Sequence, residues 1–350
     1  MKKIINDPQN VVSDMLDGLV VANSSLMRVA NYNCVVKVPG VRDTNKVALV
    51  CLGGSGHEPA HAGYVGYRGL DGVACGAVFA SPSVDQIVQT AKEVASSKGV
   101  LFIVMNYTGD ILNTEMAQEL LRASSVHSER VVVNDDVAVE NSTYTTGRRG
   151  IIGTVFVNHI AGVLSTRGLS LAELKAKAEG AIARIRSGGV CLSACTIPAV
   201  GKPGFEIDED EMEWFMGIHG EPGIERGKIA PSREIARRIL DRIDGDCPFE
   251  AGMHYAALVN GCGGTPVMEL YILLKDVADY LRARGVVLVR AIVGNFMTSL
   301  EMRGCSISMF KLDDPIYEEA LATPSCIFPL PSSATEGQSP VRKGGEARYT

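Results

Sequence analysis

Short, unbroken apolar runs alternate in this chain with longer stretches of helical period, and several of the runs end directly in a polar loop. Lys46-Val-Ala-Leu-Val-Cys-Leu52 leads into Gly53-Gly-Ser-Gly-His-Glu-Pro59. Val100-Leu-Phe-Ile-Val-Met105 leads into Asn106-Tyr-Thr-Gly-Asp110, and Arg130-Val-Val-Val-Asn134 into Asp135-Asp136. A run without polar alternation belongs to a strand covered on both faces, so the expected class is α/β with largely parallel or mixed sheets. Ligands of such sheets bind in the crevice outside the carboxyl ends of the strands, and these loops fall there.

The helical stretches set the organisation. Asp7 and Pro8 read as an N-cap followed by proline at the first helical position, opening a helix to about Val21. From Ile151 to about Arg186 the pattern is helical, with Gly162 and Gly168 as breaks. Ser187-Gly188-Gly189 then interrupts the chain, and a new strand series begins at Val190. Strands are expected at 190–195, 213–218, 255–260, 286–293 and 306–311, and helices at 232–243 and 266–283. The division that follows is two α/β domains, 1–186 and 187–331, with a cleft between them and a disordered tail at 332–350. A length of 350 residues suits two domains of roughly 100–200 residues each.

Charge and cysteine use narrow the function classes. The 34 basic and 40 acidic side chains leave a formal charge of -6, and no Lys/Arg-rich run marks a nucleic-acid or anionic-membrane surface. No stretch reaches about 18 consecutive apolar residues, and the start of the chain lacks the apolar segment of a signal peptide, so the expected location is cytoplasmic. The nine cysteines are an odd number, mostly in apolar segments, and read as free buried thiols. Cys191 and Cys195 have no second pair or nearby histidine to complete a zinc spacing, so no metal site is expected.

The loops carry the candidate chemistry. Gly54, Ser55 and Gly56 let a backbone approach a ligand closely, and a run of amides there can hold an oxygen-rich group. The spacing fits neither a dinucleotide fingerprint nor a phosphate-binding P-loop. His57 in the same loop is either a general base or a structural hydrogen-bonder. Asp110 opens a helix after a strand, so it either caps that helix or acts as a base. Gly217-Ile-His219-Gly-Glu-Pro-Gly223 places a second histidine among glycines at the end of a strand in the other half of the chain. His127 and His159 read as surface or helix residues, and Arg148-Arg149 as a solvated helix start or a phosphate contact.

Taken in order, several of these motifs resemble the dihydroxyacetone kinase family. They are Lys3-Ile-Ile-Asn-Asp7, Gly53–Pro59, Asn106–Asn113, Asn134–Val139, Gly147-Arg-Arg-Gly150, Ala194-Cys-Thr-Ile-Pro198, Gly217–Gly223 and Thr298-Ser-Leu-Glu-Met302. The resemblance is to the substrate-binding K subunit or domain, over about residues 1–331. It implies that His219 adds to a ketone carbonyl and holds the substrate as a hemiaminal. It also implies that Asp110 takes the proton of the hydroxyl to be phosphorylated, that His57 assists, and that Gly54, Ser55 and Gly56 line the pocket. One position departs from the family pattern: Met105 stands where a substrate-contacting lysine is usual. That change points either to a longer ketose such as erythrulose or to a core methionine without ligand contact.

The resemblance further implies partners. No nucleotide-binding L-type domain is recognisable in the sequence, so ADP or ATP and magnesium are expected on a separate L-type subunit, and no cofactor on this chain. Dihydroxyacetone or a related short ketose is the expected ligand, a phosphotransfer protein a further expected partner, and a homodimer the expected assembly. Family paralogues that sense the ketone and co-activate transcription supply the alternative function.

Overall fold

The computed structural model describes residues 2–138, 146–219 and 223–329; the expected tail at 332–350 lies outside them. The chain begins with α1 (Val11–Ala22), β1 (Leu26–Arg28), β2 (Cys34–Lys37), β3 (Ala48–Ser55), β4 (Gly72–Val78) and α2 (Val84–Val94). It continues with β5 (Val100–Met105), α3 (Thr108–Ala123), β6 (Ser128–Val133), α4 (Gly153–Ser165) and α5 (Leu171–Ala183). The second half holds β7 (Ile185–Cys191), β8 (Glu211–Trp214), β9 (Glu225–Lys228), α6 (Ser232–Asp246) and β10 (His254–Gly261). It closes with α7 (Val267–Ala283), β11 (Val287–Gly294), β12 (Gly304–Lys311) and α8 (Pro315–Ala322).

Two six-stranded mixed sheets result, with orders β1-β2-β4-β3-β5-β6 and β11-β10-β12-β7-β8-β9. In the first, β4, β3, β5 and β6 are mutually parallel, as the unbroken apolar runs predict, and β2 and β1 join antiparallel. The second sheet is mostly antiparallel: only β10 and β11 run parallel. This sheet is mixed and not largely parallel, the first of the two forms expected, because an unbroken apolar run also arises in an antiparallel strand buried on both faces.

Helix α4 joins the two sheets. All thirteen of its residues are buried, and it packs on β3, β5 and β6 on one side and on β7 and β12 on the other. A helix apolar all round belongs in an interior. One continuous core accordingly runs from Leu49, Ile103 and Val133 of the first sheet through α4 to Leu258 and Phe310 of the second.

Several expectations are corrected. The first helix starts at Val11, because Asp7 caps a preceding turn through its side chain, accepting from Gln9 N at 2.9 Å. Gly162 does not break a helix. It lies inside α4, where a Cβ would stand 2.2 Å from the Arg68 carbonyl oxygen, so the glycine permits close packing. Gly168, with φ +77°, does mark the turn between α4 and α5. Ser187-Gly188-Gly189 is no interruption either. These residues lie within β7 between β12 and β8, where a Cβ on Gly189 would stand 2.9 Å from the Cys305 carbonyl oxygen. The strand expected at 213–218 ends at Trp214, since Phe215 takes φ +56° and turns the chain.

Candidate functional site

Three loops of the first sheet and two of the second half converge at the carboxyl ends of β3, β4 and β5. The turn after β4 is the first support. Phe79 adopts φ +59°, its amide bonds to the Ser55 carbonyl at 2.9 Å, and Ser83 caps α2 just beyond it. This places the Phe79 ring over the Gly53–Pro59 loop. A Cβ on Gly54 would meet Ala80 N at 2.7 Å, and one on Gly56, itself at φ +99°, would meet the Phe79 ring at 2.8 Å. Both glycines are therefore required by the contact between two loops. The Ser55 hydroxyl is engaged by the Gly76 carbonyl at 2.8 Å, and the Gly56 amide by the Glu58 carboxylate at 3.0 Å.

The second support is the segment after β11, residues 297–302, which threads against the first sheet's loops. Thr298 N donates to the His57 carbonyl at 3.1 Å, Leu300 N to the Gly56 carbonyl at 2.8 Å, and Thr298 Oγ1 to the Glu58 carbonyl at 2.9 Å. The Thr298 carbonyl in turn accepts from His57 Nδ1 at 2.7 Å. That bond puts the His57 proton on Nδ1 and leaves Nε2 with its lone pair. From the same segment, Ser299 Oγ donates to the Ile218 carbonyl at 2.6 Å, next to His219.

These supports build an aromatic box. The His57 and His219 rings lie 5.1 Å apart, edge to face. Phe79 stacks on His57 at 5.0 Å and presents its edge to His219 at 5.6 Å, and Tyr107 packs edge-on against His219 at 4.6 Å. Burial, aided by the buried Arg149 guanidinium, pushes His219 down to about 4. At pH 7 the neutral imidazole therefore predominates.

Asp110 adjoins the box through its neighbours. It is the third residue of α3, three after Tyr107, and the Ser81 hydroxyl, two after Phe79, hydrogen-bonds to it. It is buried, and Oδ1 has no hydrogen-bond partner among the described residues. Burial, partly offset by Ser81, pushes it up to about 7. The helix N-cap is Tyr107, so Asp110 does not cap the helix.

Met105 ends β5, just before the segment that carries Tyr107 and Asp110. It is 1% exposed, belongs to the core cluster, and its methyl lies 3.4 Å from where a Gly53 Cβ would be. Behind the same glycine is buried His61, whose Nδ1 accepts from Asn158 Nδ2 at 3.3 Å. Of the other expected residues, His159 is buried, not exposed, with Ala320 O and Ser325 Oγ as partners. Arg149 is no solvated helix start: it is buried and paired with Asp136 at 2.7 Å. Arg148 pairs with Asp246.

Sequence reasoning missed Phe79 and the box role of Tyr107. Tyr107 lay inside a recognised motif; Phe79 carries no motif, and only its glycine neighbours hinted at a close approach. Among the described residues no group of three or more His, Cys, Asp or Glu is placed to hold a metal ion, and no helix is long and apolar enough to cross a membrane.

The family model for the Dak1 domain matches residues 17–326. The chain belongs to the Dak1 domain family. The PTS-dependent dihydroxyacetone kinase 1, dihydroxyacetone-binding subunit of Listeria innocua is 47% identical over 328 residues, covering 93% of this chain and 98% of that protein. The solved dihydroxyacetone kinase of C. freundii in complex with AMP-PNP and Mg2+ has a TM-score of 0.86 at 33% identity, covering 99% of this chain and 64% of that one. A dihydroxyacetone kinase operon co-activator has a TM-score of 0.85 at 30% identity, covering 90% of this chain and 97% of that one.

Proposed function

We propose that this Dak1-family chain is the ketone-binding subunit of a dihydroxyacetone kinase, a phosphotransferase acting on a short ketose. The observation that carries the reading is the box itself: a histidine kept neutral by burial, held against a second histidine of fixed tautomer, with a buried carboxylate of raised pKa beside them. A three-carbon ketone offers few groups to hydrogen-bond, and covalent capture recognises it by its electrophilic carbon.

In this reading a His219 ring nitrogen attacks the carbonyl carbon. The carbonyl π pair moves to oxygen, the oxygen takes a proton, and the ring releases its own N–H proton, leaving a neutral hemiaminal. His57 Nε2 faces the adduct as the acceptor that relays this proton. Asp110 takes the proton of the terminal hydroxyl as that oxygen attacks the phosphoryl group. Gly54, Ser55 and Gly56 line the pocket through backbone groups. Met105, behind Gly53, shapes the apolar wall in place of a cation and leaves room for a longer ketose such as erythrulose. The cleft between residues 1–186 and 187–331 holds the substrate. ATP or ADP with magnesium is carried by a separate L-type subunit, recharged where needed by a phosphotransfer protein, and the assembly is a cytoplasmic homodimer.

The likeness to an operon co-activator favours one competing reading, a ketose sensor. A single preparation separates the two. Incubation with dihydroxyacetone, followed by mass spectrometry of the intact chain under native conditions, is expected to show one adduct at His219, absent in His219→Ala. Addition of an L-type subunit and donor is expected to give phosphoryl transfer that Asp110→Asn abolishes while the adduct persists. An adduct without transfer in the unmodified chain supports the sensor; no adduct with any short ketose overturns both.

A further inference from the structure

At the opposite, amino ends of β3 and β4, a cavity of about 540 Å³ opens on the first sheet. Three cations border it. Lys37 ends β2, Lys46 lies just before β3, and Arg68 lies in the loop before β4. Lys37 and Lys46 are 7% and 5% exposed, and both ammonium groups share a single carboxylate, that of Asp71, which is 1% exposed.

The sharing is unequal to the charge. Asp71 Oδ1 accepts from Lys37 at 2.7 Å, while Oδ2 accepts from both Lys46 and Leu49 N. Lys46 has a further acceptor in the Val47 carbonyl at 3.1 Å, whereas Asp71 is the one hydrogen-bond acceptor of the Lys37 ammonium among the described residues. Two buried ammonium groups thus share one buried carboxylate, with exposed Asp43 as the second acid of the cavity lining. Buried charges are ordinarily paired, because removal from water is costly.

Arg68 brings the count around the cavity to three cations against two carboxylates. It has no carboxylate partner among the described residues, rests against the exposed Tyr67 ring at 4.9 Å, and its backbone is held at φ +50°. Non-glycine residues held in that region concentrate at ligand sites. The other charged or titratable groups that face the lysines are exposed Asp43 on the rim and the Cys326 thiol. The Ser25 and Thr166 side chains complete the polar lining.

We propose that this cavity is a binding site for a small phosphate-bearing anion, held by Lys37, Lys46 and Arg68. The guanidinium suits a bidentate phosphate contact, the two ammonium groups supply point charge, and the volume leaves room for a small organic residue on the phosphate. The site lies at the other end of the strands from the aromatic box and does not depend on the chemistry assigned there.

The test is calorimetry of the full chain in chloride buffer with inorganic phosphate and with glycerol 3-phosphate. Saturable binding at one site per chain is expected, weakened at least about tenfold in Arg68→Gln and in Lys37→Gln, as for loss of a charge-assisted hydrogen bond. Arg68 is partly exposed, so Arg68→Gln retains a folded chain even if Lys37→Gln does not. Absence of saturable binding at millimolar probe, or binding undiminished in a folded Arg68→Gln chain, overturns the proposal and leaves Lys37, Asp71 and Lys46 as a structural ion triad.

Discussion

His219 and Asp110 belong to one candidate site, yet desolvation moves them in opposite directions. It penalises the charged form in each case, so the imidazole falls to about 4 and the carboxyl rises to about 7. The signs separate two steps of the proposed reaction. Adduct formation needs neutral His219 and is lost only as pH falls through about 4. Proton removal by Asp110 needs the carboxylate and is lost as pH falls through about 7. Between those values the chain is expected to form the His219 adduct in full while phosphoryl transfer declines. Parallel pH profiles of adduct mass and turnover check this, and coincident midpoints would refute it. At this scale the sequence was informative: the motifs marked His57, Asp110 and His219, and the structure gathers the two histidines into one box with the carboxylate adjoining it. Phe79 stayed hidden because its placement depends on a left-handed backbone and two facing glycines, which no local spacing announces.

Among the elements, α4 shows most clearly where local signals mislead. Gly162 reads as a break because glycine costs a helix about 1 kcal/mol relative to alanine. Here the Arg68 carbonyl oxygen lies where a Cβ would need to be, at 2.2 Å. Gly162→Ala therefore pits a propensity gain of about 1 kcal/mol against overpacking of about 1–3 kcal/mol, and backbone on both sides of the clash cannot swing away. Net destabilisation of up to about 2 kcal/mol is expected, read from the urea midpoint; a more stable variant would contradict the packing described. The same lesson holds for Gly188 and Gly189, which serve the packing of β7. Runs such as Val100–Met105 were legible to the residue, since six apolar side chains in sequence have few alternatives to a buried strand. Strand β4 was not, because Gly72-Val-Ala-Cys-Gly-Ala-Val78 mixes small residues that tight packing demands and that propensity disfavours.

For the whole molecule, the sequence conveyed two α/β layers but not how they are joined. One join is ionic. Asp246, the last residue of α6, pairs with both Arg148 and Arg186, which offset the unfavourable placement of an acid at a helix carboxyl end. The Arg148 hydrogen bond, with Arg186 helping against partial burial, holds its carboxyl down at about 2. A depressed carboxyl contributes stability above its unfolded value, and that contribution is lost as pH falls toward 2. Asp246→Asn is expected to be less stable than the parent at pH 7, with the difference closing in acid; denaturant titrations at both pH values decide it, and a pH-independent gap would rule the pair out as its cause.

The threading of residues 298–300 between the loops of the other sheet has a consequence for how the molecule comes apart. The hydrogen bonds that orient His57 are also bonds that hold the halves together, so the site cannot outlive their separation, and separation cannot spare the site. A ketone bound to His219 and gripped from the His57 side then acts as a thermodynamic latch. Saturation at about 100 times the dissociation constant is worth about 2.7 kcal/mol to the intact state and nothing to the parted one. A single melting transition that moves upward as a whole with dihydroxyacetone is the expected calorimetric trace. A ligand-insensitive first transition would show that the halves part before the site is lost.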